Sequence, residues 1–206
     1  CKGTLINLFG IRRFRIEQPE IYHLAQSYYA IDFLHQRVND SHIMYLSDYL
    51  DDDFLEAAQS QATSQRTDMV LYNPSKGLDF TQKIMRAAPD LQWLPLQGLT
   101  PLQMREVMGR AKVYVDFGHH PGKDRIPRET AISGCCVLTG LQGAARFPQD
   151  VPIPQKYKFE DSESSIPAIV EMIRSCLTDY EGHVHDFDDY RKMIREEHDS
   201  FSKDVR

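Results

Sequence analysis

The chain has 206 residues, enough for one domain or one and a fraction and for a sizeable core. Its formal net charge of −6 and pI near 5.7 argue against nucleic acid or an anionic membrane as main partner, because both reward a basic surface. No apolar run approaches the ~20 residues that cross a bilayer, and the start lacks the basic-then-apolar build of a signal peptide. The four cysteines include the adjacent pair Cys135 and Cys136 in an apolar run, and they have neither zinc spacing nor that of a secreted disulfide framework. A reducing cytoplasm fits this usage. Cys1 stands where a start methionine would, so the chain is expected to be a fragment of a longer product.

In chain order, residues 21–27 (IYHLAQS) read as a strand, 28–37 as a helix, 41–50 as a strand and turn, and 51–65 as an acidic helix start running into a polar linker. Two strands cannot bury a sheet of their own. Residues 1–60 are therefore expected to be the tail of a second α/β domain, or an edge added to a main sheet formed by residues 61–206. From residue 69 the pattern becomes regular. MVLYNP is a short buried strand, and the helix that follows places Leu78, Phe80, Ile84 and Met85 near one face before Pro89 ends it. LQWLPLQG is the next strand. Thr100 and Pro101 open a helix as N-cap and first residue, with Leu102, Val107 and Met108 toward a core. Then come the strand KVYVDFG, a charged loop, a helix PRETAISG stopped by Gly134, the strand CCVLTG, a short strand YKF, and two closing helices, the last one solvated. Tyr28, Tyr29 and Trp93 read as core. Strands alternating with helices across short loops predict a mainly parallel, doubly wound α/β sheet of Rossmann type.

The charged loop, GHHPGKDRIPRE, carries the functional expectation. In an open parallel sheet, ligands bind at the carboxyl ends of strands, where loops meet helix N-termini. A helix start offers unpaired N–H groups, Gly122 lets a backbone come close, and Lys123, Arg125 and Arg128 can add charge-assisted bonds, so a phosphate suits the place. Glu129, in the first helical turn, can accept from the vicinal hydroxyls of a sugar. Phosphate plus hydroxyls suggests a nucleotide. Equally, Asp124 and Glu129 can pair with Arg125 and Arg128 on a solvated face. Upstream, NPSKG places Lys76 and Gly77 at the same sheet edge. Gln26 and Ser27 are weaker candidates at a strand end. His119 and His120 lack a metal-like partner spacing, so no metal or other cofactor is expected, and Cys135 and Cys136 are expected to be buried and inert.

The order strand, Lys76-Gly77, helix, strand, helix, strand, charged loop, ETAISGCCVLT resembles the nucleotide-sugar-binding half of the group 1 glycosyltransferases with the GT-B fold. There a Lys-Gly follows the first strand, and a Glu-Ala-Met-Ala-x-Gly-x-Pro-Val-like segment follows the phosphate loop. Residues 22–58 are similar to the last strand-helix-strand of the acceptor-side domain and the interdomain linker. The resemblance implies transfer of a sugar from a nucleoside-diphosphate sugar to a glycan, lipid-linked or other acceptor. It implies that Glu129 holds the ribose, Lys76 the diphosphate, and the amides around Gly122 and Lys123 the phosphate or donor sugar. The family often has a second Glu eight positions earlier, and here that residue is Pro121. His119, His120 or Asp124 would then take the catalytic place of that carboxylate. The implied location is cytoplasmic, peripheral at the inner membrane face through the missing part. Two other readings remain: a nucleotide- or sugar-phosphate-binding module of the same fold without chemistry, and a flavodoxin-like interaction domain without a ligand.

Overall fold

The computed structural model describes residues 4–7, 10–13, 16, 18, 20–61 and 65–206; the predicted polar linker falls partly outside them. Strands β1 (Thr4–Asn7) and β2 (Gly10–Arg13) pair antiparallel. The predicted strand-helix-strand follows as β3 (His23–Ala25), α1 (Tyr28–His35) and β4 (Ile43–Tyr45), with β3 and β4 parallel. Ser27 caps α1: its backbone is extended, and its hydroxyl accepts from the Ala30 N–H at 3.1 Å. This pair forms a sheet of its own, so among the described residues the alternative of an edge added to the main sheet is not seen. Leu24 and Met44 face each other in register on it and are exposed, as is Tyr28, against the expectation that Tyr28 is core.

The main sheet holds β5 (Thr67–Tyr72), β6 (Gln92–Pro95), β7 (Ala111–Asp116) and β8 (Cys136–Thr139), all parallel, in the order β6-β5-β7-β8. Val113, Tyr114 and Val115 on β7, and Cys136 through Thr139 on β8, are buried on both faces, which is why these strands read as unbroken apolar runs. Helices α3 (Leu78–Ala87) and α6 (Ile166–Thr178) pack together, while α2 (Asp52–Gln61), α4 (Pro101–Arg110), α5 (Arg125–Ile132) and α8 (Asp188–Asp204) form a second packed group. A short α7 (Tyr180–Val184) links α6 to α8. The strand order reverses between β5 and β7, and that reversal places the ligand crevice of such sheets.

Several local expectations hold. Thr100 and Gln103 form a reciprocal capping box with Pro101 at the first position of α4, Gly134 follows α5 with a φ of 97°, and Cys135 and Cys136 are fully buried. Burial pushes the Cys135 thiol up to about 12, so it stays protonated and unreactive. Others change. Leu102 is 73% exposed, because α4 turns Met108 rather than its first turn inward. In place of a strand at YKF there is the end of a 3-10 turn, Gln155–Tyr157, followed by a single parallel bridge, Thr139 to Lys158. Helix α5 begins at Arg125, two residues before Pro127. Helix α8 is charged, yet it buries Tyr190, Arg191, Ile194 and Glu197. Trp93 is half-buried, its indole N–H donating to the Ala88 carbonyl.

Candidate functional site

Two loops meet at the reversal point. The β5–α3 loop ends in Gly77 at a φ of 59°, and the β7–α5 loop begins with Gly118 at 94°. A Cβ on Gly77 would overlap the Phe117 carbonyl oxygen, and one on Gly118 would lie 2.8 Å from the Gly77 nitrogen. Both positions thus require glycine, for conformation and for space. The expected close approach at Gly122 is different: a Cβ there would meet Gln26 at an ordinary 3.5 Å. Asp161 secures the joint from below, accepting from the Gly118 N–H at 2.8 Å and from the Gln142 amide at 3.0 Å.

Lys76 projects from the first loop into the second. Its ammonium lies 2.7 Å from Asp124 Oδ2, 2.9 Å from Asp116 Oδ1 and 3.3 Å from His120 Nδ1. Asp116, at the end of β7, and His120 are each 1% exposed, whereas Asp124 keeps some access to solvent. His120 Nε2 lies 3.3 Å from the Asp116 carbonyl oxygen; donation there leaves the Nδ1 lone pair for Lys76. Burial lowers the His120 pKa, so the ring is neutral at pH 7. One ammonium therefore faces two carboxylates and a neutral imidazole. Asp116, His120 and Asp124 also offer three metal-type ligand atoms within 4.8 Å of one another, and the Lys76 ammonium lies among them. Burial, then the charge of Asp116 beside it, holds the Tyr114 hydroxyl well above its ordinary range.

The other cations of the loop go elsewhere. Arg128 is fully buried; its guanidinium donates to Glu197 at 2.8 Å, to Asp48 at 2.6 Å and to the carbonyls of Asp124 and Lys123. The Lys123 ammonium is buried against the other oxygen of Glu197 at 2.6 Å. Neither side chain is free for a ligand, which corrects the expectation for both: a buried carboxylate on α8 draws them inward. Arg125 stays on the surface, shared between Glu129 at 3.0 Å and Asp51 at 3.3 Å. The half-buried Glu129 is thus held one helical turn from Arg125, as the surface-pair alternative expected. His119 is exposed and stands apart from the cluster, its Nε2 3.2 Å from the Tyr29 hydroxyl of α1. The fold thus unites Lys76, Gly77, His120 and Asp124 and separates them from His119, Lys123 and Arg128. Sequence reading missed Asp116, Asp161, Asp48 and Glu197. Asp116 had a signal, a charge in the last position of a buried strand; Glu197 had none, in a helix whose sequence is charged throughout.

Helices α3 and α5 both start at this joint, and among the described residues neither N-cap, Gly77 or Asp124, makes a side-chain cap hydrogen bond. Their first N–H groups and positive dipole ends therefore border the Lys76 cluster. No protein-family model and no curated protein matches the chain by sequence. Solved structures do match. HepE of Anabaena, in complex with UDP, superposes with a TM-score of 0.58 at 12% identity, over 85% of this chain and 59% of that one. WaaG, a glycosyltransferase involved in lipopolysaccharide biosynthesis, gives 0.55 at 14% identity, over 88% of this chain and 60% of that one. The fold is that of the GT-B glycosyltransferases. HepE has also been solved with UDP-glucose. The chain spans about six-tenths of the length of these two structures, at 59% and 60%. None of its helices is long and apolar enough to cross a membrane, among the described residues.

Proposed function

We propose that this chain carries the donor-binding half of a glycosyltransferase that moves a sugar from a nucleoside-diphosphate sugar to a glycan, lipid-linked or other acceptor. Residues 61–206 would form the nucleotide-sugar domain, and residues 1–60 would belong to the acceptor side. The observation that supports this most is the joint itself: Lys76 and two uncapped helix starts converge at the strand-order reversal of a GT-B sheet. In this reading Lys76 and the helix ends stabilise the negative charge that grows on the departing nucleoside diphosphate, which is electrostatic catalysis by groups already in place. Glu129 takes the ribose hydroxyls, and the amides around Gly122 and Lys123 take the phosphate or donor sugar. Arg125, on the surface, can turn from Glu129 to a phosphate. In this reading His120 or Asp124, or the more distant His119, takes the catalytic place of the carboxylate absent at Pro121. The UDP and UDP-glucose complexes of HepE support uridine nucleotides as the first ligands to try. The proposed location is cytoplasmic, at a membrane face.

Calorimetric titration with uridine and guanosine diphosphates and their sugar conjugates tests the reading. Saturable binding that weakens at least about tenfold, ~1.4 kcal/mol, in Glu129→Ala and Lys76→Ala is expected. Absence of binding up to millimolar ligand would return the loop to a set of ion pairs. A second reading, a nucleotide-binding module without transfer, is favoured by Pro121 and by the engagement of Lys123 and Arg128 in the core. Nucleotide binding together with no transfer by the full-length protein would select it.

A further inference from the structure

Asp124 occupies the N-cap position of α5 with the extended backbone of a cap, φ −66° and ψ 145°, yet its side chain makes no cap hydrogen bond. Two features account for this. An N-cap side chain accepts from the second or third helical residue; the third is Pro127, which has no N–H, so Ile126 alone can donate. Meanwhile the carboxylate lies 2.7 Å from the Lys76 ammonium. Asp116 holds the same ammonium from the buried side at 2.9 Å, so two carboxylates surround Lys76 as the two phosphates of a diphosphate would. Of the two, Asp116 is fixed in the core, and Asp124 sits on the open side with a backbone already shaped for a different bond.

We infer that Asp124 is a latch that closes the anion site with the chain's own carboxylate. It opens by side-chain rotation: Asp124 leaves Lys76, caps α5 through the Ile126 N–H, and frees the ammonium for the ligand's phosphate. This rests on the donor-binding reading above. Asp124 competes with the ligand for Lys76; it does not touch the reacting atoms through this role. The exchange also relieves the repulsion between a bound phosphate and the carboxylate, which would otherwise share one cation.

The test is a double-mutant cycle read by UDP titration of the whole chain, with circular dichroism confirming that each variant is folded. Asp124→Ser keeps a side chain that caps helices but cannot hold Lys76 by charge. It is expected to bind UDP about tenfold tighter than the native chain. Lys76→Met is expected to bind more weakly, and adding Asp124→Ser to it should give no gain, because the gain acts through Lys76. Native-like or weaker binding by Asp124→Ser, with the native chain still binding UDP, would overturn the latch and leave the donor site standing. A gain that persists without Lys76 would also overturn it. No UDP binding by any variant would overturn the latch and the donor reading together.

Discussion

Arg128 sits one residue before the glutamate proposed to hold a ribose, yet it works as a core residue. Each of its guanidinium nitrogens donates to a carboxylate or a carbonyl, and the side chain has no exposed surface. Replacing it by methionine would leave Glu197 buried with Lys123 as its remaining ion pair. We predict that Arg128→Met lowers unfolding free energy by about 3 kcal/mol, measured by urea denaturation, with UDP affinity of the folded protein little changed. A large loss of affinity at unchanged stability would place Arg128 at the ligand instead. Residue type alone could not separate Arg128 from Arg125, because the deciding partner is Glu197, 69 positions away. Lys76, His120 and Asp124 were legible for the opposite reason: each lies in a loop whose position follows from the strand before it. Asp116 stood out in sequence only as a strand-end aspartate, and its partner Lys76, 40 positions earlier, was not legible from the strand itself.

At the scale of elements, strands buried on both faces announced themselves, and elements held by a single contact did not. Lys158 lies at the end of the turn that sequence reading took for a strand, paired by one bridge to Thr139. It is 7% exposed, and its ammonium donates to the Ala145 carbonyl at 2.8 Å. Burial pushes it down to about 8 from an ordinary 10.5, with Asp150 opposing the shift. Between those two pH values the unfolded chain keeps the proton and the folded chain does not. Stability therefore rises with pH across that interval, and below pH 8 the folded state bears the cost of a buried charge. We predict that Lys158→Met flattens this rise and adds about 2 kcal/mol at pH 7. Parallel stability curves for the two proteins between pH 8 and 10.5 would refute it.

For the whole molecule, the legible part was the order of elements, which survives at 12% and 14% identity where no sequence comparison finds a relative. What the order did not tell is how the β3–α1–β4 unit is fastened to the main sheet's side. Asp150, 1% exposed, accepts from the first two N–H groups of α1, Tyr28 at 2.8 Å and Tyr29 at 3.0 Å. At the other end Asp204 of α8 accepts from the backbone and hydroxyl of Ser47. A carboxylate at a helix start is favourable to its dipole, and burial raises the Asp150 pKa nonetheless. We predict that Asp150→Ala speeds amide hydrogen exchange throughout residues 28–35 by about tenfold or more while β5, β7 and β8 stay protected. Equal acceleration in the sheet would mean that this seam is part of one cooperative unit.

Glu197 gives the molecule a timetable. The sheet, the loop and α5 are all synthesised before the carboxylate that neutralises Lys123 and Arg128 leaves the ribosome. Until α8 arrives, Lys123 lacks the carboxylate it is buried against, and Arg128 has Asp48 as its one carboxylate partner. The residues of the proposed site are therefore made before the helix whose carboxylate holds two cations of their loop inside the protein.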